Sequence, residues 1–253
     1  VGFGGYVSAP LYIAAAIKRI PLVIHEQNAK PGWANRLGAY FTSHLAISYP
    51  VKGGKLAKAK LTGLPLRSDV ADALKGAEGD WRSAREKAKA RVTSRYQLAE
   101  NQPLIFIFGG SQGSQAINQV IAQGRDQMRE LHLSVIHGVG KSNHLPDSDR
   151  CYRALSYIDE MADCYLAADL LIARSGAVTC AEATALARYS LFIPLPIGNG
   201  EQSLNAQTLI QSGRAEIVAQ SHFTTPWLMK HLPDLIKKSA AQSLAGDTSG
   251  LYA

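Results

Sequence analysis

Five consecutive apolar residues, Leu104–Phe108, run without a polar break into Gly109-Gly110-Ser111-Gln112-Gly113, after which Ala116, Ile117, Val120 and Ile121 recur at helical spacing. A strand with no polar alternation has to be covered on both faces, which places it in a parallel sheet with helices above and below. The unit repeats: Leu170–Ala173, then Arg174-Ser175-Gly176, then a small-residue helix through Ala187, then a further apolar run over Ser190–Pro194. Leu133–Ile136 reads as a strand between them and Met161–Ala168 as a helix. The expected fold class is therefore α/β, wound from strand–loop–helix units.

The front of the chain follows the same grammar on a smaller scale. Ala9–Ile17 and Trp33–Ala39 read as helices, Leu22–Ile24 and Leu45–Ile47 as strands, and Leu61–Pro65 as a short extended piece. Residues 68–101 are charged, rich in alanine and weakly periodic, so they form the natural boundary. The expected organisation is a partial first domain over 1–67, a linker region over 68–101 and a second domain over 102–253, with a cleft between the domains. About three strands is a small sheet for the first of these.

Charge is divided in the same way. Of the formal net charge of +7, residues 1–100 contribute 16 Lys+Arg against 7 Asp+Glu, and the remainder is slightly acidic. A basic front half suits an anionic partner. Its densest stretches, Lys52–Lys60 and Arg82–Arg95, lack the interleaved aromatics of a single-strand binder, so nucleic acid is not the expected partner. The three cysteines, Cys151, Cys164 and Cys180, have no CxxC spacing and suggest reduced thiols rather than a metal site. No uninterrupted apolar run is long enough for a membrane-spanning helix.

Open α/β sheets bind ligands at the carboxyl ends of their strands, and every polar cluster here falls at such an end. The glycine turn at 109–113 precedes a helix, whose free N–H groups suit phosphate, although the spacing matches neither GxGxxG nor GxxxxGK[ST]. Ser175-Gly176-Ala177-Val178-Thr179 opens a second helix with residues small enough for close approach to a diphosphate. Glu182 follows Thr179 by three residues on the same helix face, where a carboxylate could accept both hydroxyls of a ribose. Gly198-Asn199-Gly200-Glu201-Gln202 and then Asn205 offer carboxamides for sugar hydroxyls. His25-Glu26-Gln27-Asn28 closes a strand and contains two residue types able to act as a general base. Arg67 could clamp a phosphate. Each cluster is also explained by a turn, a helix cap or a solvated side chain, so their meaning comes from their combination.

In order along the chain stand Val1-Gly2-Phe3-Gly4-Gly5-Tyr6, His25-Glu26-Gln27-Asn28, Gly63-Leu64-Pro65-Leu66-Arg67, Gly109-Gly110-Ser111-Gln112-Gly113, Tyr157-Ile158-Asp159-Glu160-Met161, Arg174-Ser175-Gly176-Ala177-Val178-Thr179 with Glu182, and Gly200-Glu201-Gln202 with Asn205. This ordered set resembles the MurG family of UDP-N-acetylglucosamine-dependent transferases. The resemblance implies a GT-B fold of two Rossmann-like domains with a cleft between them. It implies inverting, metal-independent transfer of N-acetylglucosamine (GlcNAc) to the C4 hydroxyl of undecaprenyl-pyrophosphoryl-muramoyl pentapeptide (lipid I), which gives lipid II for peptidoglycan. No cofactor is expected. The partners implied are UDP-GlcNAc, lipid I and anionic inner-leaflet lipids, and the location implied is the cytoplasmic face of the membrane, held peripherally.

Carried over position by position, the resemblance puts Ile158 against the uracil and Glu182 on the ribose. Ser111 and the helix start Ala177, Val178, Thr179, Cys180 and Ala181 surround nucleotide and diphosphate. Gln202 and Asn205 reach the GlcNAc hydroxyls, and Asn28 and Arg67 contact the donor. The family's first strand and its Gly-Gly-Thr-x-Gly-His loop have no counterpart after Val1. The first domain is thus expected to be incomplete, with the family's candidate base outside this chain and His25 as a fallback. Two other readings use the same features: a UDP-sugar-binding fragment without catalysis, and a GT-B-like sugar-nucleotide epimerase.

Overall fold

The computed structural model describes residues 1–197 and 200–246. The chain folds into two parallel α/β units joined by a pair of helices. The first unit runs α1 (Ser8–Ile17), β1 (Ile24–Glu26), α2 (Trp33–Gly38), β2 (Leu45–Ile47), a 3₁₀ turn over Lys55–Lys58, and β3 (Lys60–Leu61). Its sheet has the order β1-β2-β3, with Ile24 opposite Leu45 and Ala46 opposite Lys60. Gly2 adds a single parallel bridge to Ile24, and a side chain at Gly2 would collide with the Tyr12 ring. The first strand lies two residues beyond Leu22–Ile24, because the ladder is made by His25 and Glu26 against Ala46 and Ile47.

Residues 68–101, expected as a linker, hold α3 (Ser68–Ala77) and α4 (Trp81–Tyr96). Val70, Leu74, Ala88, Val92 and Tyr96 are buried in the core of the second unit. Asp80 caps α4 by accepting from the Ser83 N–H at 3.0 Å. The charges of α4 are used locally: Arg91 forks onto Asp163 at 2.5 and 2.8 Å, and Lys89 Nζ lies 2.8 Å from Asp169.

The second unit continues β4 (Leu104–Phe108), α5 (Gln115–Gln123), α6 (Arg125–Glu130), β5 (Ser134–Gly138), β6 (Tyr152–Leu155), α7 (Met161–Ala167), β7 (Leu170–Ala173), α8 (Ala177–Ala185), β8 (Ser190–Phe192), α9 (Glu201–Asn205), α10 (Gln207–Gln211), β9 (Ala215–Ile217) and α11 (Thr225–Ala240). All six strands are parallel, in the order β6-β5-β4-β7-β8-β9. The period of two along a strand explains the two apolar layers. Leu104, Phe106, Phe108, Leu171 and Ala173 face the helices α3, α4 and α7, while Ile105, Ile107, Leu170 and Ile172 face α5 and α11. The chain winds outward in both directions from β4 and β7, so the switch point, where such sheets open a crevice at their carboxyl ends, lies between those two strands.

Candidate functional site

A cavity of about 340 Å³ opens at that switch point. Phe108, Gly110 and Ser111 line it from the β4 exit, and Gly138 and Gly140 from the β5 exit. Tyr157, Ile158 and Met161 close it beyond β6, Val178, Thr179 and Glu182 rise from α8, and Arg67 reaches in ahead of α3. The glycines are there because the loops touch. Gly113 has φ +74° and its α-carbon faces the Val139 carbonyl with no room for a Cβ; Gly140, at φ +94°, meets the Gln112 backbone in the same way. A Cβ on Gly138 would lie 2.7 Å from Ile158 Cδ1, so the 138 position stays bare for Ile158 to pack there. Among the described residues the Ile158 N–H and C=O make no backbone hydrogen bond outside the regular helices and strands.

Glu182 is the most unusual group in this cavity. It is 2% exposed, and its Oε1 has no hydrogen-bond partner. Burial pushes its carboxyl up to about 7, with the Tyr165 hydroxyl and the Arg67 guanidinium opposing that shift and Asp69 adding to it. A buried carboxylate oxygen without a donor is costly, and a ligand carrying hydroxyls would relieve that cost.

A second cavity, about 630 Å³, shares Gly110 and Thr179 with the first and extends along Gly109, Gly113, Ser114, Gly176, Arg174 and Gln202. The N-termini of α5 and α8 both meet it. Ser114 caps α5 by accepting from the Ile117 N–H at 3.4 Å, whereas α8 starts at Gly176 without a side-chain cap. Arg174 sits between them. It donates to the Ile193 carbonyl at 2.9 Å, the Pro194 carbonyl at 3.0 Å, Ser114 Oγ at 2.8 Å and Gln220 Oε1 at 2.6 Å. It therefore ties together the exits of β4, β7, β8 and β9, and no carboxylate among the described residues pairs with it. Two helix N-termini and an uncompensated guanidinium make a positive pocket suited to an anion. The Arg174-Ser175-Gly176 run was part of the sequence pattern, but nothing in the sequence revealed that the arginine reaches three other loops.

The predicted residues divide accordingly. Arg67, Ser111, Ile158, Val178, Thr179 and Glu182 line the first cavity, and Gln202 lines the second, its Oε1 accepting from the Leu195 N–H at 2.9 Å. Ala177, Cys180 and Ala181 are buried in α8; Ala177 and Ala181 pack against Leu64 and Tyr49 of the first unit. Asn205 lies elsewhere. It is 1% exposed, donates to Asn28 Oδ1 at 3.2 Å and to the Ser175 carbonyl at 3.3 Å, and accepts from the Ala29 N–H at 2.9 Å. Asn205 and Asn28 thus join the two units directly. Gly198 and Asn199 lie outside the described residues.

In the first unit the His-Glu pair is already engaged. Glu26, 2% exposed, accepts from the Asn28 N–H at 3.0 Å and Asn28 Nδ2 at 3.4 Å on one oxygen, and from the Gly32 N–H at 3.0 Å and Asn35 Nδ2 at 2.9 Å on the other. His25 Nε2 lies 3.0 Å from the Gly63 carbonyl, which can only accept, so Nε2 is the donor; Nδ1 is buried without a partner. Among the described residues, no group of three or more His, Cys, Asp or Glu is arranged to hold a metal, and no helix is long and apolar enough to cross a membrane.

Comparison with known proteins agrees with this geometry. The glycosyltransferase family 28 C-terminal domain matches residues 104–249, and the family's N-terminal domain matches residues 1–47. A protein of Thermobifida fusca named UDP-N-acetylglucosamine--N-acetylmuramyl-(pentapeptide) pyrophosphoryl-undecaprenol N-acetylglucosamine transferase is 42% identical over 241 residues, covering 93% of this chain and 60% of that protein. A Corynebacterium glutamicum protein of the same name is 39% identical, covering 97% of this chain and 65% of its own length. The chain spans about 60–66% of the length of the curated relatives it matches first. The crystal structure of Acinetobacter baumannii MurG superposes with a TM-score of 0.67 at 26% identity, covering 98% of this chain and 70% of that one. A UDP-GlcNAc 2-epimerase from Neisseria meningitidis reaches 0.51 at 10% identity, a likeness of fold alone. The architecture is α/β and of the GT-B type.

Proposed function

The chain belongs to glycosyltransferase family 28, and from that premise we propose that it binds UDP-GlcNAc across the two cavities and serves the transfer of GlcNAc to lipid I. The observation that carries this reading is Glu182, a buried carboxylate with an unpartnered oxygen in a cavity of nucleoside size. Ribose hydroxyls would donate to it. The Ile158 peptide, at the closed end of the same cavity, reads the uracil edge. The diphosphate lies over the α8 N-terminus, between Ser111 and Arg174, and the sugar extends toward Gln202.

In the transfer, a general base takes the proton of the acceptor's C4 hydroxyl as that oxygen forms a bond to C1 of GlcNAc, while the bond from C1 to the diphosphate oxygen breaks on the opposite face. The electron pair leaves with UDP. Two helix N-termini and the Arg174 guanidinium oppose the charge that develops there, which is electrostatic stabilisation by groups already in place. The basic first unit suits the acceptor's pyrophosphate and the anionic surface that carries it, which fits a protein held peripherally at the membrane. An epimerase reading shares the fold, but the relatives at 37–42% identity carry the transferase name.

Calorimetric titration with UDP tests the reading. Glu182→Ala should raise the UDP Kd by about tenfold or more, since desolvated hydrogen bonds to a charged group are lost; an unchanged Kd removes the ribose role. The pH dependence has a definite sign. With its carboxyl raised from 4.5 to about 7, Glu182 destabilises the empty protein progressively as pH rises over that window. Hydroxyl donors favour the ionised form, so UDP affinity rises through about pH 7 and then levels. Glu182→Gln should remove that part of the slope and leave only the part that belongs to UDP's own phosphate.

A further inference from the structure

Behind the Gly138–Gly140 turn lies a buried polar string that the proposed transfer does not use. His137, on β5, is 1% exposed. Its Nδ1 lies 2.7 Å from Tyr152 Oη and its Nε2 3.0 Å from Asn118 Oδ1. Asn118 Nδ2 in turn donates to the Val139 carbonyl at 2.9 Å.

The direction of every bond in the string is fixed. The Val139 carbonyl can only accept, so Asn118 must present Nδ2 to it and Oδ1 to the histidine. His137 Nε2 must then carry a proton. Burial pushes the ring down to about 4, which keeps it neutral and leaves Nδ1 as an acceptor for the Tyr152 hydroxyl. The far end is anchored: the Arg125 guanidinium lies 4.6 Å over the Tyr152 ring and pairs with Asp149 at 2.5 Å, while Asp149 accepts from the Cys151 and Tyr152 N–H groups at 2.7 and 2.9 Å.

At the near end, the Val139 carbonyl is where the two glycine loops meet. It also accepts from Asn143 Nδ2 at 2.7 Å, and the same amide donates to the Gln112 carbonyl at 2.9 Å. Gly113 abuts it with no space for a side chain. Gly110, Ser111, Gly138 and Gly140 of these loops wall the first cavity, and Gly109 and Gly113 wall the second.

We propose that Tyr152, His137 and Asn118 form a one-way positioning relay that orients the Val139 carbonyl and so sets the spacing of the two glycine loops around the nucleotide. The proposal rests on the nucleotide reading of those cavities for its consequence, but not for its geometry. None of the three residues touches the ligand space; they act through the Val139 peptide.

Two measurements on the full chain test it. The first needs no ligand: ¹⁵N NMR of the His137 ring at pH 7 should show the neutral tautomer protonated at Nε2. Asn118→Asp, which keeps the shape but cannot donate to Val139, should speed hydrogen exchange in residues 109–114 and 138–143. The second is UDP binding below the melting temperature of each variant, where Asn118→Asp should raise the Kd about tenfold and Tyr152→Phe, which lowers the melting temperature by leaving His137 Nδ1 unpaired but stays folded, about threefold. Should Asn118→Asp fail to fold, Tyr152→Phe carries the test, since it removes only the remote hydroxyl. An Nδ1-protonated or charged ring overturns the relay, as do variants with wild-type loop exchange and wild-type Kd. Loosened loops in a protein that never binds UDP would sink the nucleotide reading and leave the relay standing.

Discussion

Phe106 lies in the middle of the second unit's sheet with Phe108 and Tyr165 around it, the Phe106–Tyr165 ring centroids 5.5 Å apart, and apolar layers above and below. Its counterpart in the first unit is Glu26, at the end of the edge strand β1, also buried, but surrounded by four N–H donors. The first unit's apolar clusters are small, built on Tyr12 and Ile24 and on Ile47 and Leu56. Leu11, Ile17, Ile20 and Val23 remain exposed. One unit is thus shaped by dispersion and burial, the other largely by a hydrogen-bond hub. Burial is tolerant of side-chain identity, whereas a hub depends on a single acceptor, so the two should fail differently.

Three substitutions sharpen or break this contrast. Phe106→Ala should have the largest effect, about 3–5 kcal/mol lost from the second unit, read as reduced amide protection across 104–240 in hydrogen-exchange mass spectrometry. Glu26→Ala should come next, at about 2–3 kcal/mol, because buried donors are left without an acceptor. Its loss of protection should be confined to residues 1–67. An equal loss in both units would mean that they unfold as one body, and the contrast would fail. Asn205→Ala should be smallest, at about 1 kcal/mol. Its readout is a broader distance distribution between spin labels placed one on each unit, with each unit's own protection unchanged.

The same contrast explains what the sequence made legible. Leu104–Phe108 and Leu170–Ala173 were readable because a doubly covered strand has only one pattern available to it. The helices over 68–101 were not, because α4 is anchored through arginines and lysines that meet Asp163, Asp169 and main-chain carbonyls distant in sequence. α11 carries Pro233 inside it, which disguises its period, and β6 is a four-residue strand with no long apolar run. In the site, Glu182 could be singled out by its spacing from Thr179. The clasp made by Asn205 could not, since its partners lie 176 and 177 residues away in the first unit.

The contacts between the units have a mechanical consequence. A rigid body is located by the number and spread of its supports. Among the described residues these supports include the paired amides of Asn28–Ala29 and Asn205, the apolar seat of Leu64 and Tyr49 on Ala177 and Ala181, and Leu66 packed against the second unit's core. The first two attach to α8 or to the Ser175 turn that leads into it. A load applied to the first unit is therefore delivered in part to the same helix that brings Glu182 to the cavity.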